Sequence, residues 1–251
     1  MDLGLRDRVA LVTGASRGIG CAVARALAAE GARVALASRS RDRIEAAARD
    51  VGGHGFVFDS DDLDAVPGFL TGVEQALGPI DVYVANTGGP PANKDPLGFA
   101  REQWEAANRS LVLSPMAILG RLLPGMRSRG WGRVVAVTSF AVREPIDTLQ
   151  LSNAYRPGFV AALKVLARQV AADGVTINAL MPGYIATDRA IGTTGDGSRE
   201  AAEERLRDII PARRMGDPEE LAAAAAFLCS APASYVTGAA LVVDGGLTRG
   251  I

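Results

Sequence analysis

Three groups of residues in this chain have types and spacings that can do chemistry. The first is the turn "TGASRGIG", in which Gly14, Gly18 and Gly20 surround Ser16, Arg17 and Ile19. Glycine is needed where a backbone turns sharply and comes close to a pyrophosphate, and the following helix N-terminus offers N–H groups and positive dipole. The second is Ser38-Arg39, after the apolar run "VALA", where an acidic residue would otherwise hold ribose hydroxyls. A guanidinium there suits a 2′-phosphate, and Arg17 can reach the same group, which favours NADP(H) over NAD(H). The third is "LSNAYRPGFVAALK", which brings Ser152, Tyr155 and Arg156 together. A phenol, of ordinary pKa about 10, becomes a proton donor beside a cation. A serine hydroxyl is far harder to ionise, and an arginine does not release its proton.

These groups need a frame, and the sequence supplies one. Short apolar runs, "RVALVTG", "ARVALAS", "GFVF", "IDVYVAN", "GRVVAVTS", "VTINALMPG" and "AALVVDGG", alternate with amphipathic stretches such as "IGCAVARALAAEG" and "FVAALKVLARQVAADG". Nearly continuous apolar strands between helices predict a Rossmann-type doubly wound α/β fold, with seven mainly parallel strands and helices on both faces. No linker or repeat divides the sequence, so residues 1–251 are read as one dinucleotide-binding domain. The irregular stretch from Tyr184 to Glu220 predicts a substrate lid around 188–215.

The glycine turn with these strands resembles the short-chain dehydrogenase/reductase family, and 3-oxoacyl-ACP reductase-like proteins in particular. "ANTGG" is similar to the family's N-N-A-G, matching Asn86 and Gly88; "MPGYIAT" is similar to its P-G-x-x-x-T. The resemblance implies that Asp59 contacts adenine and that Pro182, Gly183, Ile185 and Thr187 border the nicotinamide. It also implies a catalytic tetrad of Asn, Ser, Tyr and Lys. Ser139 fills the serine position. The tyrosine position, thirteen residues further on, holds Ser152, and the lysine position holds Arg156. The asparagine position falls on Leu111, with Asn108 one helical turn earlier. Ser152 can then donate a hydrogen bond to a substrate oxygen, and Arg156 can hold the nicotinamide ribose or an anionic substrate. Tyr155 is either a compensating proton donor or a half-buried aromatic beside the cleft, and Tyr184 is a secondary candidate. Pro157 predicts a helix that begins there, so that Ser152 and Arg156 need not share a face.

Composition narrows the rest. Lys+Arg 27 against Asp+Glu 28 gives a net charge of −1, with no whole-chain basic excess for nucleic acid or anionic membrane. Cys21 and Cys229 suit core positions and not a disulfide or metal site, and His54 suits a solvated turn. No metal is expected. The chain's opening residues lack a signal-peptide pattern, so a cytoplasmic location is expected. The expected function is NADP(H)-dependent reduction of a carbonyl, or oxidation of the alcohol, on a small molecule, in a homotetramer or homodimer. The alternatives are a non-redox isomerase or lyase on the same fold, and a protein that holds NADP(H) without turnover.

Overall fold

The computed structural model describes residues 1–194 and 197–250. In chain order the elements open with β1 (Val9–Thr13), α1 (Gly18–Ala29), β2 (Arg33–Ser38), α2 (Arg41–Val51), β3 (His54–Val57) and α3 (Val66–Leu77). They continue with β4 (Val82–Ala85), α4 (Arg101–Asn108), a π-helical segment (Arg109–Leu113), α5 (Ser114–Ser128) and β5 (Gly132–Val137). A 3-10 turn (Phe140–Val142) leads to α6 (Gln150–Val170), β6 (Val175–Pro182), α7 (Asp188–Thr194), α8 (Arg199–Leu206), α9 (Pro218–Cys229) and β7 (Ala240–Val243).

All seven expected strands form, in one sheet of order β3-β2-β1-β4-β5-β6-β7. Every neighbouring pair is parallel. Strand side chains alternate between two cores. Ala10, Val12, Val82 and Val84 pack with Leu27 of α1, Ile44 of α2 and Leu221 of α9. Val9, Leu11, Tyr83 and Ala85 pack with Leu70 of α3, Ile118 of α5 and Leu163 of α6. Each fully buried aliphatic side chain contributes about 1.5–3 kcal/mol, which explains why the central strands are apolar on both faces. Because the chain leaves β3 to place β4 beside β1, a crevice opens at the carboxyl ends of those two strands. Among the described residues, no helix is long and apolar enough to cross a membrane.

Two expectations are corrected. The helix carrying the third group begins at Gln150, not at Pro157, which lies inside it. The proline removes the N–H that would bond the Asn153 carbonyl, but the helix is held from elsewhere. Asn153 donates from Nδ2 to the Ile146 carbonyl at 2.8 Å and accepts the Ile146 N–H on Oδ1 at 3.1 Å. The stretch read as an irregular lid contains α7 and α8; Ala202 and Leu206 of α8 pack with Ile210, Met215 and Tyr184. Residues 195–196 of that stretch lie outside the described residues.

Candidate active site

A cleft of about 700 Å³ runs across the carboxyl ends of the central strands. At one end the backbone is shaped for close approach. Gly14 and Gly18 sit at φ +59° and +57°, in the left-handed region. A Cβ on Gly14 would lie 2.6 Å from the Asn86 carbonyl. Asn86 Nδ2 fixes the turn by donating to the carbonyls of Thr13 and Gly14 at 3.3 and 3.0 Å. The first turn of α1 has no side-chain cap, so its N–H groups are left for a ligand. Ser16, Arg17, Gly18 and Ile19 line the cleft here, with Gly88 across from them. Farther along lie Ser38 and Arg39, and the Ser38 hydroxyl is buried without a partner. An uncapped helix start, a glycine approach and an orphaned hydroxyl beside an arginine are the features a phosphorylated dinucleotide needs.

Pro182, Gly183 and Thr187 line the same cleft as Ser139, Ser152 and Arg156. Ser139 follows β5 and caps the 3-10 turn, its Oγ accepting the Ala141 N–H at 3.1 Å. Ser152 and Arg156 lie one turn apart on α6, and Arg156 Nε donates to Ser152 Oγ at 2.9 Å. Arg156 Nη1 also donates to the Val137 carbonyl at 3.2 Å. Only 8% of Arg156 is exposed, and it forms no ion pair among the described residues. Burial pulls its pKa down to about 10, helped by the positive charge of Arg189, so it stays a cation at neutral pH.

Other expected positions fall outside the cleft lining. Tyr155 packs edge-on against Trp104, ring centroids 5.9 Å apart, beside Leu111 and Leu151. Although it follows Ser152 by three positions on α6, Tyr155 packs into this small core and not into the cleft that Ser152 and Arg156 line. Leu111 is buried in that same small core, within the π-helical segment, and Asn108 ends α4 outside the lining. Gly20 serves packing, since a Cβ there would meet Gly14 and Asn86. Asp59 Oδ1 accepts the Asp61 N–H at 3.1 Å; Phe58, Ser60 and Asp61 reach the cleft instead. Ile185 is buried and bridges to Gly216. Tyr184 borders a separate small pocket, where burial raises its pKa. His54 starts β3 instead of lying in a turn.

Two arginines of the cleft escape a reading of motifs. Arg43, on the first turn of α2, joins Arg39 at the outer end; the run "SRSRDR" carried that signal. Arg189, on α7, donates to the carbonyls of Gly89 and, at 2.6 Å, Pro90. Those bonds tie the start of the expected lid to the loop after β4, a pairing that no local pattern announces.

Known proteins share this fold. The family model for enoyl-(acyl carrier protein) reductase matches residues 14–248. The chain is 34% identical over 245 residues to acetoacetyl-CoA reductase of Rhizobium meliloti, covering 96% of this chain and 98% of that one. It is 32% identical over 248 residues to 3-oxoacyl-(acyl-carrier-protein) reductase MabA of Mycobacterium tuberculosis, covering 97% and 94%. The solved structure of L-sorbose reductase from Gluconobacter frateurii, complexed with NADPH and L-sorbose, superposes with TM-score 0.94 at 31% identity, over 100% of both chains. With its seven parallel strands, its glycine turn and relatives that match nearly end to end, the chain belongs to the short-chain dehydrogenase/reductase family.

Proposed function

We propose that this chain is an NADP(H)-dependent oxidoreductase that reduces a carbonyl of a small organic molecule, or oxidises the corresponding alcohol, with a non-standard catalytic site. The observation that carries this reading is one continuous cleft from the uncapped start of α1 to Ser139, Ser152 and Arg156. Solved relatives with NADPH or NADP bound support it.

Gly14, Ser16, Gly18 and the N–H groups of α1 would hold the diphosphate, and Ser38, Arg39 and Arg43 the 2′-phosphate. Thr187 would meet the nicotinamide end beside Pro182 and Gly183. The bound nucleotide supplies the hydride. Ser139 Oγ already accepts a backbone N–H, so its own proton is directed to the substrate oxygen, where it polarises the carbonyl. Ser152 is set the same way by Arg156. Arg156 adds positive charge at this end of the cleft but does not itself surrender a proton, so water completes the hydroxyl group. Residues 188–215 would act as a lid, fastened by Arg189. Exposed Val165 on α6 suits contact with a second copy, in a homodimer or homotetramer, and the cytoplasm is the proposed location.

The test is incubation with NADPH and a panel of carbonyl compounds, followed at the nicotinamide absorbance. Oxidation of NADPH with matching alcohol is the expected result. Product without net oxidation would instead identify a non-redox enzyme, and NADPH binding without any product a nucleotide-holding protein.

A further inference from the structure

Arg156 is a cation that the fold leaves without a counter-charge. A buried guanidinium stripped of water costs several kcal/mol unless an anion and hydrogen bonds offset it. Here only two protein acceptors are supplied, a hydroxyl and a carbonyl, and neither is charged. Arg156 itself lines the cleft, and its fork has further N–H groups beyond these two bonds. In the reading above, the nucleotide's own negative charges lie at the other end, on the α1 turn and at Arg39 and Arg43. They do not neutralise Arg156.

The neighbours of Arg156 sharpen this. Ser139 Oγ accepts from Ala141, and Ser152 Oγ accepts from Arg156. Each hydroxyl accepts one protein bond and has its own proton available to donate. Two hydroxyls and a planar fork thus form a wall that presents donors. An alcohol or amide brings donors as well as acceptors to such a wall, whereas a carbonyl or a carboxylate brings only acceptors. The planar fork matches a carboxylate in two parallel bonds.

We infer that the substrate is an oxo acid, whose carboxylate pairs with the guanidinium of Arg156 while its carbonyl oxygen faces Ser139 and Ser152. This rests on the proposed nucleotide-dependent reduction and gives it a substrate class. Hydride joins the carbonyl carbon, the C–O π pair moves onto oxygen, and a proton from water completes the hydroxyl; NADPH leaves as NADP⁺.

The test uses benzoate and benzamide, which share a planar shape but differ in charge and in carrying donors. Calorimetric titration of the full chain saturated with NADPH is expected to show benzoate binding at least about tenfold more tightly than benzamide. Arg156→Gln should remove that difference while NADPH affinity changes by less than about threefold, and Arg156→Lys should restore part of it. Equal binding of the two probes to the unaltered chain overturns the inference, and this comparison needs no variant to fold. A collapse of NADPH affinity in Arg156→Gln, with the benzoate preference kept, assigns the guanidinium to the nucleotide and overturns it as well. Should NADPH fail to bind the unaltered chain, the proposed function fails, while titration of the free chain with both probes still decides the carboxylate site.

Discussion

Arg156 Nε and Ser152 Oγ are joined at 2.9 Å across one turn of α6, immediately before a proline that ought to have disturbed that turn. The bond fixes what both residues can do. Ser152 gives up a lone pair to the guanidinium, and Arg156 is held on the cleft lining by this bond and its bond to the Val137 carbonyl. Neither is a proton relay of ordinary acidity, so chemistry at this end depends on holding charge more than on moving protons.

Ser139→Ala removes the hydroxyl proposed to polarise the substrate oxygen. Turnover should fall by about 10²–10³, the usual cost of losing one oxyanion donor, with NADPH affinity unchanged. Steady-state rates together with NADPH fluorescence titration check this, and a full rate removes Ser139 from the mechanism.

Tyr155→Phe should leave the rate as it is. The ring packs on Trp104 outside the cleft, and phenylalanine preserves that packing. A loss of turnover in rate assays would bring the phenol back as a proton donor.

At the outer end, Arg39→Asp combined with Arg43→Ser should weaken NADPH by about tenfold or more, since each charged hydrogen bond is worth about 1.5–3 kcal/mol. NADH affinity should hold or improve. Parallel titrations with both nucleotides measure the preference, and an unaltered ratio rejects the phosphate assignment.

Pro157→Ala gives the Asn153 carbonyl a helical partner. Interior proline costs about 3 kcal/mol in an unconstrained helix, but alanine also frees the unfolded chain, so a net gain of about 1–2 kcal/mol is expected. That gain is a rise of about 2–8 °C in Tm at this chain length, readable by calorimetry. A fall in Tm would show that the surrounding contacts favour the proline.

Glu220 caps α9 by accepting the Asp217 N–H at 2.8 Å, and it pairs with Arg214. The Arg214 guanidinium, then the Asp217 N–H, lower its pKa to about 2. Because the folded value lies below the unfolded one, the contribution is complete above about pH 4.5. It is lost as pH falls toward about 2. Glu220→Gln keeps an acceptor for the Asp217 N–H but loses the charge of an exposed, solvent-screened pair, so it should cost no more than about 0.5 kcal/mol at pH 7, a gap that narrows steadily below pH 4.5. Melting curves of both proteins across that range test the sign.

The seven strands were legible because buried parallel strands write themselves as apolar runs, and "VALVT" or "VTINALMP" permits little else. The glycine turn was legible because positive φ at Gly14 and Gly18 restricts residue type. The start of α6 was not. Proline reads as a boundary, and the bonds from Asn153 to Ile146 that hold the earlier turns come from a loop, not from helical periodicity. Ile185 and Asp59 matched a motif by spacing, yet spacing does not say which way a side chain points. Arg189 bonds carbonyls some hundred residues away in sequence, beyond the reach of any local pattern.

The π-helical segment Arg109–Leu113 adds one last point. Such a widened turn sacrifices hydrogen-bond geometry and is found mostly where a helix serves a site. Here it encloses Leu111, a hydrocarbon side chain, where the family resemblance implies an asparagine. The widened backbone surrounds a hydrocarbon at the position where the resemblance implies a polar side chain. A conventional relay could thus be rebuilt by exchanging side chains at Leu111, Ser152 and Arg156, with no redesign of the main chain beneath them.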